Sequence, residues 1–318
     1  MPLTDKMLAR VTHWTSKLLS YAGRLQLVKT VLFSIQTFWA QIFILPKKVL
    51  KAVETICRTF LWTGDTTASR KALIAWEQLC LPKAAGGLNV LHAQTWNKAA
   101  ICKLLWNLCK KANKLWVRWV HEYYLKQQSV WSIFPKQASW MLKKIFKAVD
   151  ILEEAGIDEQ QLNSITTFSI KQVYQKLRGN HLKVTSRRLV CNNQGAPKWI
   201  FILYLALNKR LYTRDRLTQW GITEQLVCPL CGTENETVEH LFFKCSYSAR
   251  VWEKIVEWQG YNRYAMEWTD EVRNNRVFQS KQREPGALIR IIAQEIMVRG
   301  NMQPKLASQL ARMDYYPS

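Results

Sequence analysis

The sequence predicts a mainly α-helical fold. Apolar residues recur every three or four positions along much of the chain, which is the period of one face of a helix. Glycine and proline are scarce, with 12 and 9 in 318 residues, and this favours helices over a turn-rich β architecture. The chain is 48% hydrophobic and contains 15 tryptophans, so it can bury a sizeable core in one large or two smaller domains.

The first half of the chain divides into helices separated by turn residues. Gly23 is predicted to end the first helix, Pro46 the second and Gly64 the third. Residues 65–90 are predicted to be irregular, with a turn at Gly86-Gly87. Helical spacing is found over five segments: 3–18, 25–45, 47–62, 96–108 and 115–123.

Two stretches of the first half allow a second interpretation. Residues 30–45 are uncharged and mostly apolar. The stretch is too short for a membrane span and contains Ser, Thr and Gln, so a buried helix is favoured. Tryptophan and lysine interleave over 97–119, which could form a stacking surface for nucleic-acid bases. A helical period would instead place the tryptophans in the core and the lysines in solvent, and this second interpretation is favoured.

The second half begins with an acidic segment. Residues 148–162 contain five acids and no base, and 148–167 are predicted to be an acidic, polar linker between domains. A short helix capped by Ser169 should follow, then a longer helix after Trp199. A further turn or two of helix, with Thr213 as its N-cap, should end before Gly221.

The net charge of +23 is concentrated in the first part of the chain. Residues 1–147 have 23 Lys and Arg against five Asp and Glu. A compact domain with this charge repels itself unless a polyanion neutralises it. Nucleic acid is the favoured partner, because phosphate neutralisation releases counterions; solvated basic helix faces are the alternative.

Residues 228–245, CPLCGTENETVEHLFFKC, contain a metal-ligand pattern. Cys228 and Cys231 are separated by two residues, so one tight turn can direct both thiolates at one ion. His240 and Cys245 complete a Cys3His set, which is typical of closed structural zinc sites. Four protein ligands leave no open position for a water nucleophile, so the pattern predicts a structural Zn2+ and not a catalytic one.

The spacing of His240 and Cys245 constrains the local structure. Residues five apart lie about 140° apart around an ideal α-helix, so the two cannot share one regular helical face. We expect a short helix over 237–240, a bend over 241–244 and a second helix from Ser246 or Ser248. No role is predicted for the other five cysteines, whose spacing is not that of a secreted disulfide framework: Cys57, Cys80, Cys102, Cys109 and Cys191.

The cluster and its surroundings resemble the zinc-binding module near the C-terminus of plant LINE-type (non-LTR) retrotransposon reverse transcriptases. The matching features of that module are Trp199, LYTRDRL (211–217), EHLFFKC (239–245) and Trp252. Further similarity covers LSYAGRLQLVKTVLFSIQTFW (19–39), FLWTGD (60–65), LCLPKAAGGLNV (79–90), FSIKQVYQKLRG (168–179) and EVRNNRVF (271–278). By this resemblance the zinc ligands are Cys228, Cys231, His240 and Cys245.

The resemblance implies four regions. A basic helical region like the polymerase thumb and connector is expected over 1–147, and the acidic linker over 148–167. The reverse-transcriptase zinc-binding domain is expected over 168–260, and a helical tail over 261–318. The fold class is thus a basic thumb- or connector-like helical region followed by a small Cys3His helical module.

The carboxylates that polymerisation needs are missing. Two-metal catalysis requires clustered acids, and this chain has no Asp-Asp pair. The chain therefore resembles a non-catalytic C-terminal fragment that binds RNA or an RNA–DNA hybrid through phosphates. The contact candidates are Lys209, Arg210, Arg214, Arg216, Lys244 and Arg250.

A protein-interaction module is the alternative function. In that case the zinc unit would be a scaffold that packs on a polymerase core or another partner. A third possibility is that the fragment has lost any role. No membrane partner is expected. The cysteine pattern and the lack of a visible signal peptide predict an intracellular protein, and the resemblance points to the nucleus as one compartment.

Overall fold

The structure, a computed structural model, describes residues 2–13, 19–67, 72–126, 128–185, 190, 196–258 and 292–293. These residues are mainly helical, and the only extended pairing among them is one antiparallel bridge between Val227 and Asn235. The predicted fold class is thereby confirmed. The chain divides into two compact units, Met1–Asn192 and Asn193–Ser318.

Eleven α-helices lie in the described part of the first unit: α1 Pro2–His13, α2 Tyr21–Leu27, α3 Phe33–Ile42, α4 Lys47–Thr63, α5 Trp76–Cys80, α6 Ala93–Cys109, α7 Leu115–Val120, α8 Trp140–Phe146, α9 Ala148–Glu154, α10 Glu159–Ser164 and α11 Ile170–Arg178. A π-helical turn over Val28–Leu32 joins α2 to α3, and another over His121–Leu125 extends α7. A 3₁₀ turn covers Lys83–Ala85.

Helix α6 is the centre of the first unit. It packs against α3, α4, α7, α8, α9, α10 and α11. Ala99, Ala100, Leu105 and Leu108 on this helix are all 0% exposed. The alanines let neighbouring helices approach closely, while each leucine contributes about 2 kcal/mol of burial free energy.

Gly23 does not end a helix, contrary to the prediction. Ser20 is the N-cap of α2, and its hydroxyl oxygen accepts a hydrogen bond from the Gly23 amide at 3.3 Å. The cap satisfies a first-turn donor, so the chain continues helically from Tyr21 to Ile42 through the π turn. Gly64 does end α4, as predicted, in the left-handed conformation with φ 71°.

The apolar stretch 30–45 is helical as far as Ile42 and contributes to the core through Leu32, Phe33 and Ala40. No helix in the described part of the chain is long and apolar enough to cross a membrane. The predicted turn at Gly86-Gly87 is present. A Cβ on Gly87 would lie 2.1 Å from the Leu81 carbonyl oxygen, so only glycine fits there.

The tryptophans between residues 96 and 119 differ in environment. Trp96 packs against Tyr174 with ring centroids 5.5 Å apart, and Trp106 against Phe168 at 5.8 Å. Both are partly buried against the core, as the helical period predicts. Trp119 is 45% exposed.

The acidic segment carries two of the helices of the first unit. Leu152 of α9 and Leu162 of α10 are 0% exposed, whereas the acids lie toward solvent. Glu154 forms an ion pair with Lys98 of α6 at 3.5 Å. The predicted domain limits within 148–260 stay a prediction.

The second unit contains α12 Pro197–Leu207, α13 Arg214–Gln219, a π-helical turn over His240–Lys244 and α14 Ser246–Trp258. Its small core beside the π turn consists of Cys228, Leu230, Leu241, Cys245, Tyr247, Val251 and Ile255. Ile292 also packs on this core. Apart from Ile292 and Ala293, the predicted tail 261–318 lies outside the described residues, as does the segment 271–278.

Candidate metal centre

The first two cysteines lie on one tight turn. The Gly232 amide donates to the Cys228 carbonyl oxygen at 2.9 Å, and Gly232 has the left-handed φ of 74°. The Cys228 amide donates to the Glu234 carbonyl oxygen at 2.7 Å, next to the Val227–Asn235 bridge. This turn places the thiols of Cys228 and Cys231 on the same side of the chain.

The other two ligand-type residues lie at the two ends of a π-helical turn. The Cys245 amide donates to the His240 carbonyl oxygen at 2.7 Å, which is an i→i+5 bond. The wider turn brings residues five apart to nearly one side, which an α-helix cannot do. A π-helical turn thus takes the place of the bend that was expected over 241–244, whereas Ser246 begins α14 as predicted.

The four ligand atoms are close enough for one metal ion. The three Sγ atoms and one His240 ring nitrogen all lie within 4.8 Å of one another. Cys228 Sγ is 4.0 Å from Cys245 Sγ, and Cys231 Sγ is 3.4 Å from His240 Nε2. A tetrahedral Zn2+ with its usual bond lengths requires separations of about 3.8 Å between sulfurs and about 3.6 Å between sulfur and nitrogen. The donor set and its spacing thus fit a structural zinc ion.

Hydrogen bonds favour the thiolate form of two cysteines. Burial opposes ionisation of Cys231, but the Glu234 amide and the Thr233 hydroxyl donate to its sulfur, and its pKa falls to about 7. A hydrogen bond from the Cys228 thiol lowers the pKa of Cys245 to about 4 and raises that of Cys228. Thiolate is the form that ligates zinc.

Glu234 orients the histidine. Its Oε2 lies 2.9 Å from His240 Nδ1, while Nε2 faces the sulfurs. A neutral histidine that ligates through Nε2 carries its proton on Nδ1, where the Glu234 carboxylate accepts it. Sequence reasoning missed Glu234, although an acid near a ligand histidine is the signal that could have suggested it.

Glu236 connects the metal-binding segment to α13. Its side chain is 0% exposed, and Oε2 accepts from the Arg214 amide at 3.3 Å and lies 4.0 Å from Arg214 Nε. Thr213 is the N-cap residue, as predicted, but its hydroxyl makes no capping hydrogen bond. Glu236 thus satisfies the first turn of α13 in place of the Thr213 side chain.

The cysteines outside the cluster have a different environment. Cys57, Cys80 and Cys102 are buried and Cys109 is half-buried, and none forms a disulfide. Burial raises the pKa of Cys80, Cys102 and Cys109 to about 12 and that of Cys57 further. These thiols stay protonated at neutral pH. Cys191 lies outside the described residues.

The six basic contact candidates fall into two groups. Lys209, Arg210 and Arg250 are exposed, and so is Lys244, which pairs with Glu239 at 2.8 Å. Arg214 donates to the Val227 carbonyl oxygen. Arg216 lies over the Trp220 ring at 4.6 Å. Arg214 and Arg216 therefore have structural contacts of their own, whereas Lys209 and Arg210 extend into solvent.

Comparison with known proteins shows what the metal-binding region is similar to. Residues 168–252 match the family model described as zinc-binding in reverse transcriptase. The chain is also 34% identical over 122 residues to a putative ribonuclease H protein of Arabidopsis thaliana. That match covers 38% of this chain and 20% of the relative, so the chain matches about one fifth of the relative's length. Residues 168–252 of this chain are therefore similar to the zinc-binding domains of reverse transcriptases.

Proposed function

We propose that this chain is a zinc-stabilised, non-catalytic part of a retrotransposon reverse transcriptase that binds RNA or an RNA–DNA hybrid through phosphates. Its zinc ligands are Cys228, Cys231, His240 and Cys245. The family match supports the retrotransposon origin of the domain.

The observation that carries nucleic-acid binding is the uncompensated positive charge. The chain has 46 Lys and Arg against 23 Asp and Glu. Such an excess disfavours the folded state by self-repulsion, and a polyanion removes that cost. Phosphates neutralise lysines and arginines without reading base sequence, so binding should be largely independent of sequence.

The exposed bases of the zinc domain are the proposed contacts in the second unit. Lys209, Arg210 and Arg250 are exposed, so phosphates can reach them without breaking an ion pair among the described residues. Lys244 must exchange its surface pair with Glu239, which costs little. Arg214 and Arg216 would contribute to nucleic-acid binding through their charge and also through the contacts by which they support the fold.

The zinc site supports a structural role. Four protein ligands close the coordination sphere, so the ion has no position for a reacting water. We propose no catalysis by this chain, although its relative is named for ribonuclease H. Purified protein should incorporate no nucleotide on a primed template and cleave no RNA–DNA hybrid, and either activity in pure protein would contradict the proposal.

A protein-interaction module is the second candidate function. It is favoured by exposed apolar side chains beside the metal-binding segment: Trp220 at 45%, Ile222 at 67%, Leu226 at 37% and Val227 at 42%. Such side chains suit an interface with a polymerase core or another protein. Binding assays with variants test this candidate, because they show whether binding depends on these apolar residues or on the basic ones.

Salt dependence distinguishes the two functions. Phosphate-dominated binding of an RNA–DNA hybrid should weaken by roughly hundredfold or more between 50 and 200 mM salt if several phosphates are contacted. An apolar interface should hardly change. Binding that is insensitive to salt would favour the protein partner. So would binding that is lost in the Ile222→Ser variant but kept in the Arg210→Gln variant. If the chain binds neither nucleic acid nor protein, it does not have the proposed role.

We place the protein inside the cell, with the nucleus as the compartment that fits a nucleic-acid partner. The described cysteines are all free thiols, which is typical of a reducing environment. A tagged full chain that appears only in the secreted fraction would contradict this.

A further inference from the structure

A cleft in the first unit combines lysines with exposed aromatic rings. It has a volume of about 460 Å³ and is lined by Phe134, Lys136, Trp140, Lys143, Lys144 and Lys147. We call it the lysine–aromatic cleft. No carboxylate lines it, which distinguishes it from the cleft beside the metal ligands, where Glu234 and Glu239 are present.

Helix α8 presents one face of this cleft. Trp140, Lys143, Lys144 and Lys147 follow the i, i+3, i+4, i+7 spacing of a single helical face. The opposite face is fixed in the core, because Leu142, Ile145 and Phe146 of α8 are 6%, 1% and 3% exposed. Trp140, Lys143 and Lys144 are therefore held on a well-packed helix, whereas Phe134 and Lys136 lie in the loop that precedes it.

The four lysines of the cleft have no acidic partner among the described residues. None of them forms an ion pair with another described residue. Lys147 Nζ lies 5.7 Å from the Phe134 ring centroid, so this ammonium group and this ring face each other across the cleft. Four like charges so close together repel one another, and an anion in the cleft would relieve that repulsion.

The two aromatic rings of the cleft are also exposed. Phe134 is 48% and Trp140 is 53% exposed, so both rings can be reached from solvent. The rings can stack on the base of a nucleotide, and the ammonium groups beside them can bind its phosphate. Double-stranded nucleic acid offers only its phosphates to such a surface, whereas an unpaired strand offers its bases as well.

We propose that the lysine–aromatic cleft binds single-stranded nucleic acid, with bases stacked on Trp140 and Phe134 and phosphates on the four lysines. This proposal rests on the proposed nucleic-acid function and gives it a site outside the zinc-binding segment. The cleft chemistry is common to RNA and DNA, so both are used as probes.

The test measures binding of the full zinc-loaded chain to fluorescein-labelled oligo(U) and oligo(dT) by anisotropy over a range of salt. In the cleft variant, Lys136, Lys143, Lys144 and Lys147 are each changed to Gln. The matched control changes four other exposed lysines of the first unit to Gln: Lys51, Lys171, Lys176 and Lys183. Both variants lose the same charge, and circular dichroism checks that both fold as the wild type does.

The cleft variant should bind at least tenfold more weakly than the control. Its plot of log affinity against log salt should have a slope smaller by about 3, since each phosphate on a single strand contributes about 0.7. Trp140→Ala should weaken binding roughly five- to hundredfold. Trp119→Ala, which removes another exposed tryptophan, should leave binding unchanged. The RNA arm and the DNA arm show which strand the cleft prefers.

Several results would overturn the proposal. Equal affinities of the cleft variant and its charge-matched control would remove the cleft while leaving the proposed function intact. A wild-type chain that binds neither these single strands nor an RNA–DNA hybrid would remove both. Equal binding of abasic and normal strands, or an unchanged affinity for Trp140→Ala, would contradict base stacking. Equal binding of poly-glutamate would indicate an acidic protein as the partner.

Discussion

The two ring nitrogens of His240 face different groups. Glu234, which is not a ligand, contacts one of them and thereby determines which nitrogen is available to the metal. Glu234 is 62% exposed, and its carboxylate lies 2.9 Å from Nδ1. Cys231 Sγ lies 3.4 Å from Nε2 on the other side of the ring. The carboxylate fixes the ring so that Nε2 is offered to the metal.

Glu234→Ala should weaken zinc binding roughly 10- to 100-fold, because the histidine loses the group that sets its orientation and tautomer. Competition with a zinc-binding dye measures the change. Glu239→Ala is the control, since Glu239 pairs only with Lys244 among the described ion pairs. Glu234→Gln keeps an acceptor and should bind zinc better than Glu234→Ala; equal affinities for wild type and Glu234→Ala would contradict this role.

Lys29 is a half-buried cation in the first unit. Its ammonium group donates to the Leu88 carbonyl oxygen. Burial, with a smaller effect of Lys83, lowers its pKa from 10.5 to about 8. Between these pH values the unfolded chain binds the proton that the folded chain has lost, so the contribution of Lys29 to stability rises with pH.

Wild type should therefore gain stability relative to Lys29→Met as pH rises from 8 to 10. Urea unfolding at a series of pH values measures the difference in the free energy of unfolding. The expected gain is about 1–2 kcal/mol after a discount for residual exposure. A stability difference that stays constant over this range would show that the Lys29 pKa is not lowered.

The helices of the first unit were largely predictable because their apolar spacing is regular. The period indicated the segments of α4, α6 and α7, and Gly64 marked a helix end. The start of α2 was not predicted, because glycine disfavours helix and Gly23 is expected to end one. Only the hydrogen bond to the Ser20 cap explains why Gly23 lies in the first turn of α2. The packing of α9 and α10 was also hidden, because their many acids mask the few buried leucines.

The candidate site was predictable in its ligands but not in its backbone. The C-x2-C spacing and the histidine specify the donor chemistry. The π turn at His240–Lys244 depends on one i→i+5 hydrogen bond, for which the sequence has no known signal. The acids Glu234 and Glu236 were missed for a related reason, since their roles depend on contacts that only the folded chain creates.

Helix α6 should be the most sensitive element of the first unit. Leu105→Ala creates a cavity at a 0% exposed position and should lower the free energy of unfolding by 2–5 kcal/mol. Lys98→Ala on the same helix removes only an exposed ion pair with Glu154 and should cost less than 1 kcal/mol. Urea unfolding followed by circular dichroism compares the two, and similar losses would contradict a central role for α6.

At the scale of the whole molecule, the two units should differ in their dependence on metal. The core beside the metal ligands has seven buried residues, two of which are the ligands Cys228 and Cys245. So small a core is not expected to be stable alone, and zinc binding can supply folding free energy. The first unit has a core that combines residues of α3 and of α6 to α11 and involves no proposed ligand.

A chelator should therefore unfold the second unit and leave the first unit folded. Hydrogen exchange with mass spectrometry, before and after chelation, measures protection in each region. Amides of 197–258 should lose their protection, whereas those of α6 should keep it. Protection that persists in both regions would show that the metal does not hold the second unit together, and loss in both would show that the units fold as one.

The most direct measurement is the zinc content of purified chain. Inductively coupled plasma mass spectrometry should find one zinc ion per wild-type chain, and almost none in Cys245→Ser. The Cys109→Ser variant, which removes a thiol outside the cluster, should keep its zinc. A wild-type chain that is folded and free of metal, or a Cys245→Ser chain that still carries one zinc ion, would contradict the assignment of these four side chains as a closed zinc site.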